Sequence, residues 1–327
     1  MAHIIPNPVF PIHGGSAFET TTPYSGTFIP SIWSGKLLSK FFATTTFGAV
    51  SNTNWESDVK NKGDKVIIRQ APNISINEYE VGMTLNYEVP EPETIELLID
   101  QGHYYGFQLN DVLAYQSDMN LMNMFSDDAS EQLKIHVDTN CWKATFDGAH
   151  AANKGLNAGA ESGSYNMGTD AAPVVLDGDS ILETILAMAS ILDEQNIPES
   201  DRWLVMTPLE RYMLMQSNLA QAYYTGDSTS PVRNGRIGMI DRFQLYVSNL
   251  LPRAAAGQDW DGEADGTALK RHAIVAGHKS AITFAAGISK NEQLRNPTDF
   301  GDIVRGLMVY GRRVVKPESM VTLIAAG

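Results

Sequence analysis

The sequence predicts an α+β protein, and three observations carry that reading. The stretch from Asn110 to Phe146 has neither Pro nor Gly, and Leu121, Phe125, Ala129, Leu133, Val137, Cys141 and Ala144 recur through it at spacings of four, with one of three, the contact period of a helix. Ahead of it, Trp55 to Phe107 holds short runs that alternate apolar and polar residues, the period of half-buried strands. After it, helical and strand-like runs mingle without the strict alternation of a doubly wound sheet.

Composition narrows the class. The chain has 327 residues, enough for two or more compact units, and is 43% hydrophobic and 19% charged, which is globular in type. A formal charge of −14 argues against a general nucleic-acid binder, which needs basic surface to displace counterions. Cys141 is the single cysteine, so an intrachain disulfide and a Cys-based metal site are both excluded. Inside a helix it is expected as a buried free thiol, in keeping with a reducing compartment. The N-terminus lacks the basic start and apolar run of a signal peptide, and no stretch of about 18 apolar residues predicts a membrane span.

Taken in order, Met1–Pro30 reads as an extended arm. Pro6, Pro8, Pro11, Pro23 and Pro30 block a helix, while Ile4, Ile5, Val9, Phe10, Ile12, Phe18, Tyr24 and Phe28 ask for a surface to lie on, whether of the same or another subunit. Ser31–Phe42 predicts a short amphipathic helix. Lys65–Arg69, Thr84–Val89 and Thr94–Asp100 predict strands, broken by Pro72 and Pro90-Glu91-Pro92. Val66–Val89 reads as a long hairpin-like excursion with a ragged tip near Asn73–Gly82. Strands of about ten residues would carry that tip about 33 Å from its base. So long a two-stranded projection is marginal alone and calls for a neighbour, such as another subunit.

The long helix follows, about 27 residues and about 40 Å, with Asn120 as its cap and Gly148 at its end. Asp127, Asp128, Glu131, Lys134, Asp138 and Lys143 are expected on its outer face. Steps of four spiral around the helix, so it should act as a spine that meets different partners along its length. Gly148–Asp170 reads as a surface loop. Ser180–Gln195 predicts a helix capped by Asp179 or Ser180, Trp203–Met206 a buried strand, and Thr207-Pro208 the start of a helix running through Met215. Ala222–Gly235 is expected as loop, Gly238–Val247 as two strands about a turn, and Pro252–Thr267 as an exposed acidic loop. Arg271–Ala276 predicts a strand, Ser280–Ala286 a short helix, and Asp302–Tyr310, Arg312–Lys316 and Met320–Ala325 the closing strands.

Motifs with chemistry are few. Gly277-His278-Lys279-Ser280 sits where a phosphate-binding loop would, but the upstream Gly is missing and His278 splits the Gly-Lys pair. Asp261–Gly266 imitates the start of a calcium loop, yet the twelfth position is His272 where a bidentate Glu is needed. His3, His13, His103, His136, His150, His272 and His278 form no spaced metal pair, no Gly-x-Ser-x-Gly elbow occurs, and Asp127-Asp128 reads as a solvated pair. No catalytic, cofactor-binding or metal residue is predicted, no cofactor is expected, and the chain is not read as an enzyme.

Several phrases in order do carry a resemblance. Phe28–Ser34, Gly63–Ile68, Ile99-Asp100-Gln101 through Phe107–Asp111, Gly235–Phe243 with Val247-Ser248-Asn249, Ala276–Ile282, and Val309-Tyr310-Gly311 with Lys316-Pro317-Glu318 together resemble the major capsid proteins of tailed bacteriophages, which have the Hong-Kong-97-type fold. Asp241 stands where that group usually has Gly. The resemblance runs from about Phe28 to the C-terminus. It implies an N-terminal arm and first helix (1–50), an extended β-hairpin loop (51–98), a peripheral domain with the spine helix (99–170), an axial domain (171–287) and closing strands returning to the peripheral domain (288–327). It implies hexamers and pentamers closing into an icosahedral shell around double-stranded DNA, held on the inner face without sequence specificity. Scaffolding, portal and decoration proteins are the further partners, the virion capsid is the location and the host cytoplasm the place of assembly, with no membrane involved. Met1-Ala2-His3 reads as an intact start, so a scaffold is expected as a separate chain. Some members cross-link the extended loop through a Lys; Lys60, Lys62 and Lys65 lie at the loop's base, and no cross-link is expected. On sequence alone two other readings stay open: an encapsulin-like nanocompartment shell protein, and an α+β enzyme with a site assembled in three dimensions.

Overall fold

The computed structural model describes residues 42–55, 65–72, 74–85, 87–111, 121–217, 238–264 and 269–326. The arm over 1–30, the helix expected over 31–42 (except its last residue), the cap at position 120 and the loop over 222–235 lie outside them. In chain order the elements are α1 (Phe47–Val50), β1 (Lys65–Arg69), β2 (Thr94–Leu98), β3 (Gln101–Asn110), α2 (Leu121–Thr145), α3 (Ser180–Glu194), β4 (Arg202–Met206) and α4 (Pro208–Gln216). They continue with β5 (Met239–Ile240), β6 (Phe243–Val247), β7 (Arg253–Ala254), β8 (Arg271–His278), β9 (Ile282–Arg295), β10 (Gly301–Val314) and β11 (Met320–Ala326). The class is α+β.

Among the described residues the strands form three sheets. β1 and β2 make an antiparallel pair, β3-β10-β9 an antiparallel three-stranded sheet, and β11-β8-β4-β6-β5 the path of a larger sheet, with β7 added beside β8. Only β4 and β6 run parallel within that larger sheet. β4 is buried along its whole length, which explains its unbroken apolar reading. The two-residue period sends Leu204 and Met206 to one face, under Ile181, Ile185, Met188 and Leu192 of α3. Trp203 and Val205 go to the other, where Val137, Cys141, Trp142 and Phe146 of α2 meet them with Phe47 and Tyr310.

The long helix is therefore a spine. Its C-terminal half packs on the larger sheet, and it also touches β3, where Phe125 meets Phe107 and His136 meets His103. Trp142 is fully buried, with edge-on contacts to Phe47 (5.2 Å) and Trp203 (6.0 Å). Gly311 lets the hairpin base close on β10: a Cβ there would overlap the Leu98 carbonyl oxygen.

Several expectations are corrected. Asp138 does not face water. It is buried and accepts hydrogen bonds from the backbone N–H groups of Thr46 (3.2 Å) and Phe47 (2.8 Å), so it caps α1 from another element. Burial pushes its carboxyl above the ordinary range, against the lowering effect of those bonds. The buried face of α2 is Val137, Asp138, Cys141, Trp142 and Thr145; Ala144 is exposed, and so is Phe125. Thr84–Val89 is not a strand, because β1 pairs with β2 and the hairpin's return is Thr94–Leu98. Ser280–Ala286 is not a helix; it is the turn into β9 and the start of that strand. The strands expected over Asp302–Tyr310 and Arg312–Lys316 are one, β10, kinked by an irregular register at Val309/Tyr310. Asp179 stands at the N-cap of α3 as expected, but its side chain makes no capping bond; the Asp177 carboxylate accepts from the N–H groups of Asp179 and Ser180.

The 148–170 segment is loop, but not only surface. Asn153, Ala158 and Met167 are buried, and the Asn153 amide donates to the carbonyls of Glu318 (2.7 Å) and Met320 (3.0 Å). Within 252–267, Arg253–Ala254 adds to β8 as β7.

Candidate functional site

The phosphate-loop context at Gly277–Ser280 does not form. A tight turn leads from β8 into β9, so no helix N-terminus faces it, and His278 Nδ1 is bonded to Ser280 Oγ (2.8 Å). In the acidic loop Asp259 Oδ1 accepts from the N–H groups of Asp261 and Glu263, and Asp261 pairs with Lys143 (2.7 Å), so these carboxylates are engaged within the chain. Among the described residues no group of three or more His, Cys, Asp or Glu side chains could hold a metal ion, and no helix is long and apolar enough to cross a membrane.

One buried pair of titratable side chains is absent from the sequence reading. Glu210, at the first turn of α4, is buried against His272 of β8 and accepts from Thr207 N (2.7 Å) in a capping box. Burial pushes its carboxyl up, and the hydrogen bond and charge of His272 together with Thr207 outweigh that, leaving it below the ordinary range. With both side chains buried, the arrangement fixes the start of α4 to β8 and offers no open reacting atom. Cys141 is a buried free thiol, pushed up to about 12 by burial, and has the inert character of a core residue.

The surface says more. Beyond β1 and β2 the hairpin tip is strongly apolar and open to solvent: Ile76 is 93% exposed, Val81 96%, Tyr87 86% and Val89 85%, with Ile74, Tyr79, Met83 and Leu85 also exposed. Eight large apolar side chains in one exposed projection exceed what a lone soluble chain normally shows. The same tip carries Glu78, Glu80, Glu88, Glu91 and Glu93, and no Lys or Arg occurs between Arg69 and Lys134. Glu88 ties across the projection to the N–H (3.1 Å) and hydroxyl (2.8 Å) of Ser75.

A second exposed surface is the face of β3-β10-β9 turned away from α2. Register places Tyr104, Leu307 and Lys290 side by side, next to the Arg305–Glu292 ion pair (2.6 Å). Together with Gly306 they line an open groove of about 380 Å³. The sequence carried the apolar tip as an alternating run; its exposure became visible only once β1 was seen to pair with β2.

A family model described as phage capsid protein matches residues 98–323. Among solved structures, a chain from Mycobacterium phage Che8 aligns with a TM-score of 0.73 at 24% identity, covering 91% of this chain and 97% of that one. The capsid of the cyanophage P-SCSP1u aligns at 0.69 and 18% identity, covering 95% and 97%. The capsid of Ralstonia phage GP4 aligns at 0.64 and 12% identity, covering 95% and 98%. No curated protein sequence matches the chain.

Proposed function

The chain belongs to the phage capsid protein family, a structural subunit of a viral capsid shell and not an enzyme, and from that premise we propose how it builds the shell. Its fold is of the Hong-Kong-97 type and it self-assembles into shell oligomers. In the proposal these are hexamers and pentamers that close around double-stranded DNA. Residues 99–170 form the peripheral domain on α2, and 171–287 the axial domain at the capsomer centre. Residues 288–327 return to the periphery, the passage running within β9. The extended loop, 51–98, reaches over a neighbouring subunit.

The observation that carries this reading is the hairpin tip. It is apolar, acidic and exposed in the single chain, and it projects from a base buried through Ile68, Leu97, Ala285 and Val315. Such a projection gains its stability from another surface. Contacts spread along extended segments can slide without breaking all at once, which suits a shell that changes size as it matures. The charge of −14 lets the shell enclose DNA without gripping it tightly. Scaffolding, portal and decoration proteins complete the particle in this proposal, and assembly takes place in the host cytoplasm. The nanocompartment and enzyme readings are not favoured, since the family matched is that of phage capsid proteins.

Sedimentation velocity of the purified protein, alone and coexpressed with a scaffold, tests the proposal. Particles far larger than a 35.8 kDa chain are expected. A species that stays monomeric under both conditions would contradict it.

A further inference from the structure

We infer that Thr84–Val89 becomes a β-strand only on assembly, by adding to the free edge of β9 in a second copy; the inference rests on the shell reading above. The first ground is a mismatch between sequence and structure. Thr84–Val89 alternates as a strand does, with Leu85, Tyr87 and Val89 on one side and Thr84 and Glu88 on the other, and is rich in residues that favour strands. Its described residues carry no ladder in the single chain. Among the described residues of 70–93, the backbone–backbone bonds are Gln70 N to Glu93 O and Met83 N to Glu80 O. A strand-like sequence whose backbone groups are left to water is ready to pair with another edge.

The second ground is an edge that can receive it. β9 is paired with β10 along one side. On its other side, Asn52 bonds to Ile282 (2.8 Å) and Phe284 (3.0 Å). From Ala285 to Arg295, nothing among the described residues pairs with that side. An added strand the length of Thr84–Val89 needs about 20 Å of edge, and this stretch is longer.

The third ground is charge. The tip is acidic throughout, whereas the β9 edge carries Lys290; Arg295 and Arg305 are already paired, with Asp111 and Asp302 and with Glu292. The other outer strand of the same sheet, β3, contains no Lys or Arg, so complementarity selects the β9 edge. In the added position Leu85, Tyr87 and Val89 would continue the partly apolar outer face that Leu294, Leu307 and Tyr104 already present. The partner is thus a second copy of this chain, and the mode is strand addition.

Hydrogen–deuterium exchange read by mass spectrometry, on unassembled subunits and on purified shells of the wild-type chain, tests this. Amides of 84–89 and of 285–295 are expected to slow together by about a hundredfold or more on assembly. Alternate N–H groups of an added strand face its partner, so of Tyr87→Pro and Glu88→Pro, both at exposed positions, one removes a ladder N–H; shell yield of that variant should fall about tenfold or more while the subunit's melting temperature holds, and Tyr87→Phe should assemble normally. Shells in which 84–89 exchange as fast as in free subunits, or Tyr87→Pro and Glu88→Pro chains that both assemble like wild type, would overturn the inference and leave the shell function standing. Failure of the wild-type chain to form shells under any condition would overturn the shell reading, and the inference with it.

Discussion

Replacing both Ile76 and Val81 by Ser should cripple assembly while leaving the subunit's fold intact. The two side chains are 93% and 96% exposed, so the folded single chain has almost nothing to lose from their removal. Substitutions at such positions usually change stability by within about 0.5 kcal/mol. In the proposed shell a neighbour would cover the same side chains. Full burial of a Val or Ile contributes about 1.5–3 kcal/mol, so the pair contributes about 3–6 kcal/mol. Interfaces seldom exclude all water from a projecting loop, and half of that, about 1.5–3 kcal/mol, is the working figure. At about 1.4 kcal/mol per factor of ten, the subunit concentration needed for assembly should rise roughly ten- to a hundredfold. Sedimentation velocity across a dilution series reads that concentration, and circular dichroism reads the melting temperature of unassembled subunit. An assembly threshold that moves less than about twofold would refute the reasoning. So would a melting temperature that falls in parallel, since the residues would then be supporting their own subunit.

Further outcomes follow from the interior. Asp138→Ala should cost about 1–3 kcal/mol in urea unfolding, because Thr46 and Phe47 lose their acceptor, and Asp138→Asn should lose less. Gly311→Ala should destabilise by about 1–3 kcal/mol, since the clash is with the Leu98 backbone and no side chain can move aside. Cys141 should resist thiol reagents in the native subunit and react fully in urea, its thiol being buried and pushed up to about 12.

The pH dependence has a definite sign. Burial, then His136 and Arg312, hold His103 below 6.5, so its contribution to stability is present above 6.5 and is lost as the pH falls through its folded value. Glu210 is held below 4.5 and contributes stability present above 4.5 that is lost as the pH falls through its folded value. Melting temperature should therefore fall in two stages on acidification, and His103→Gln should shrink the first, to which His278, also held low by burial, contributes.

Elements whose partners are implied by their own composition were legible in the sequence. β4 is buried on both faces and reads as an unbroken apolar run; α3 keeps a strict helical period because one side meets a sheet. The hairpin of β5 and β6 turns at Asp241 and Arg242, both with positive φ, where a Gly would be more usual. What failed depended on distant partners. Ala281 to Ala286 has no helical or strand period of its own, and only β10 makes it a strand. Asp138 looks like a solvated helix residue until the N–H groups of Thr46 and Phe47 are brought to it. Thr84–Val89 has the pattern of a strand, and none of the described residues pairs with it in the single chain. The candidate site was half visible: an apolar projection in need of a neighbour could be read, but its base and its extent could not, because Thr94–Leu98 and not Thr84–Val89 closes it.

Negative-stain electron microscopy of the purified protein is the most direct measurement. Closed shells, tubes or rings with five- and six-fold symmetry are expected, with DNA inside particles taken from an infection. Compact single subunits that never associate, with scaffold and crowding agent present, would contradict the account.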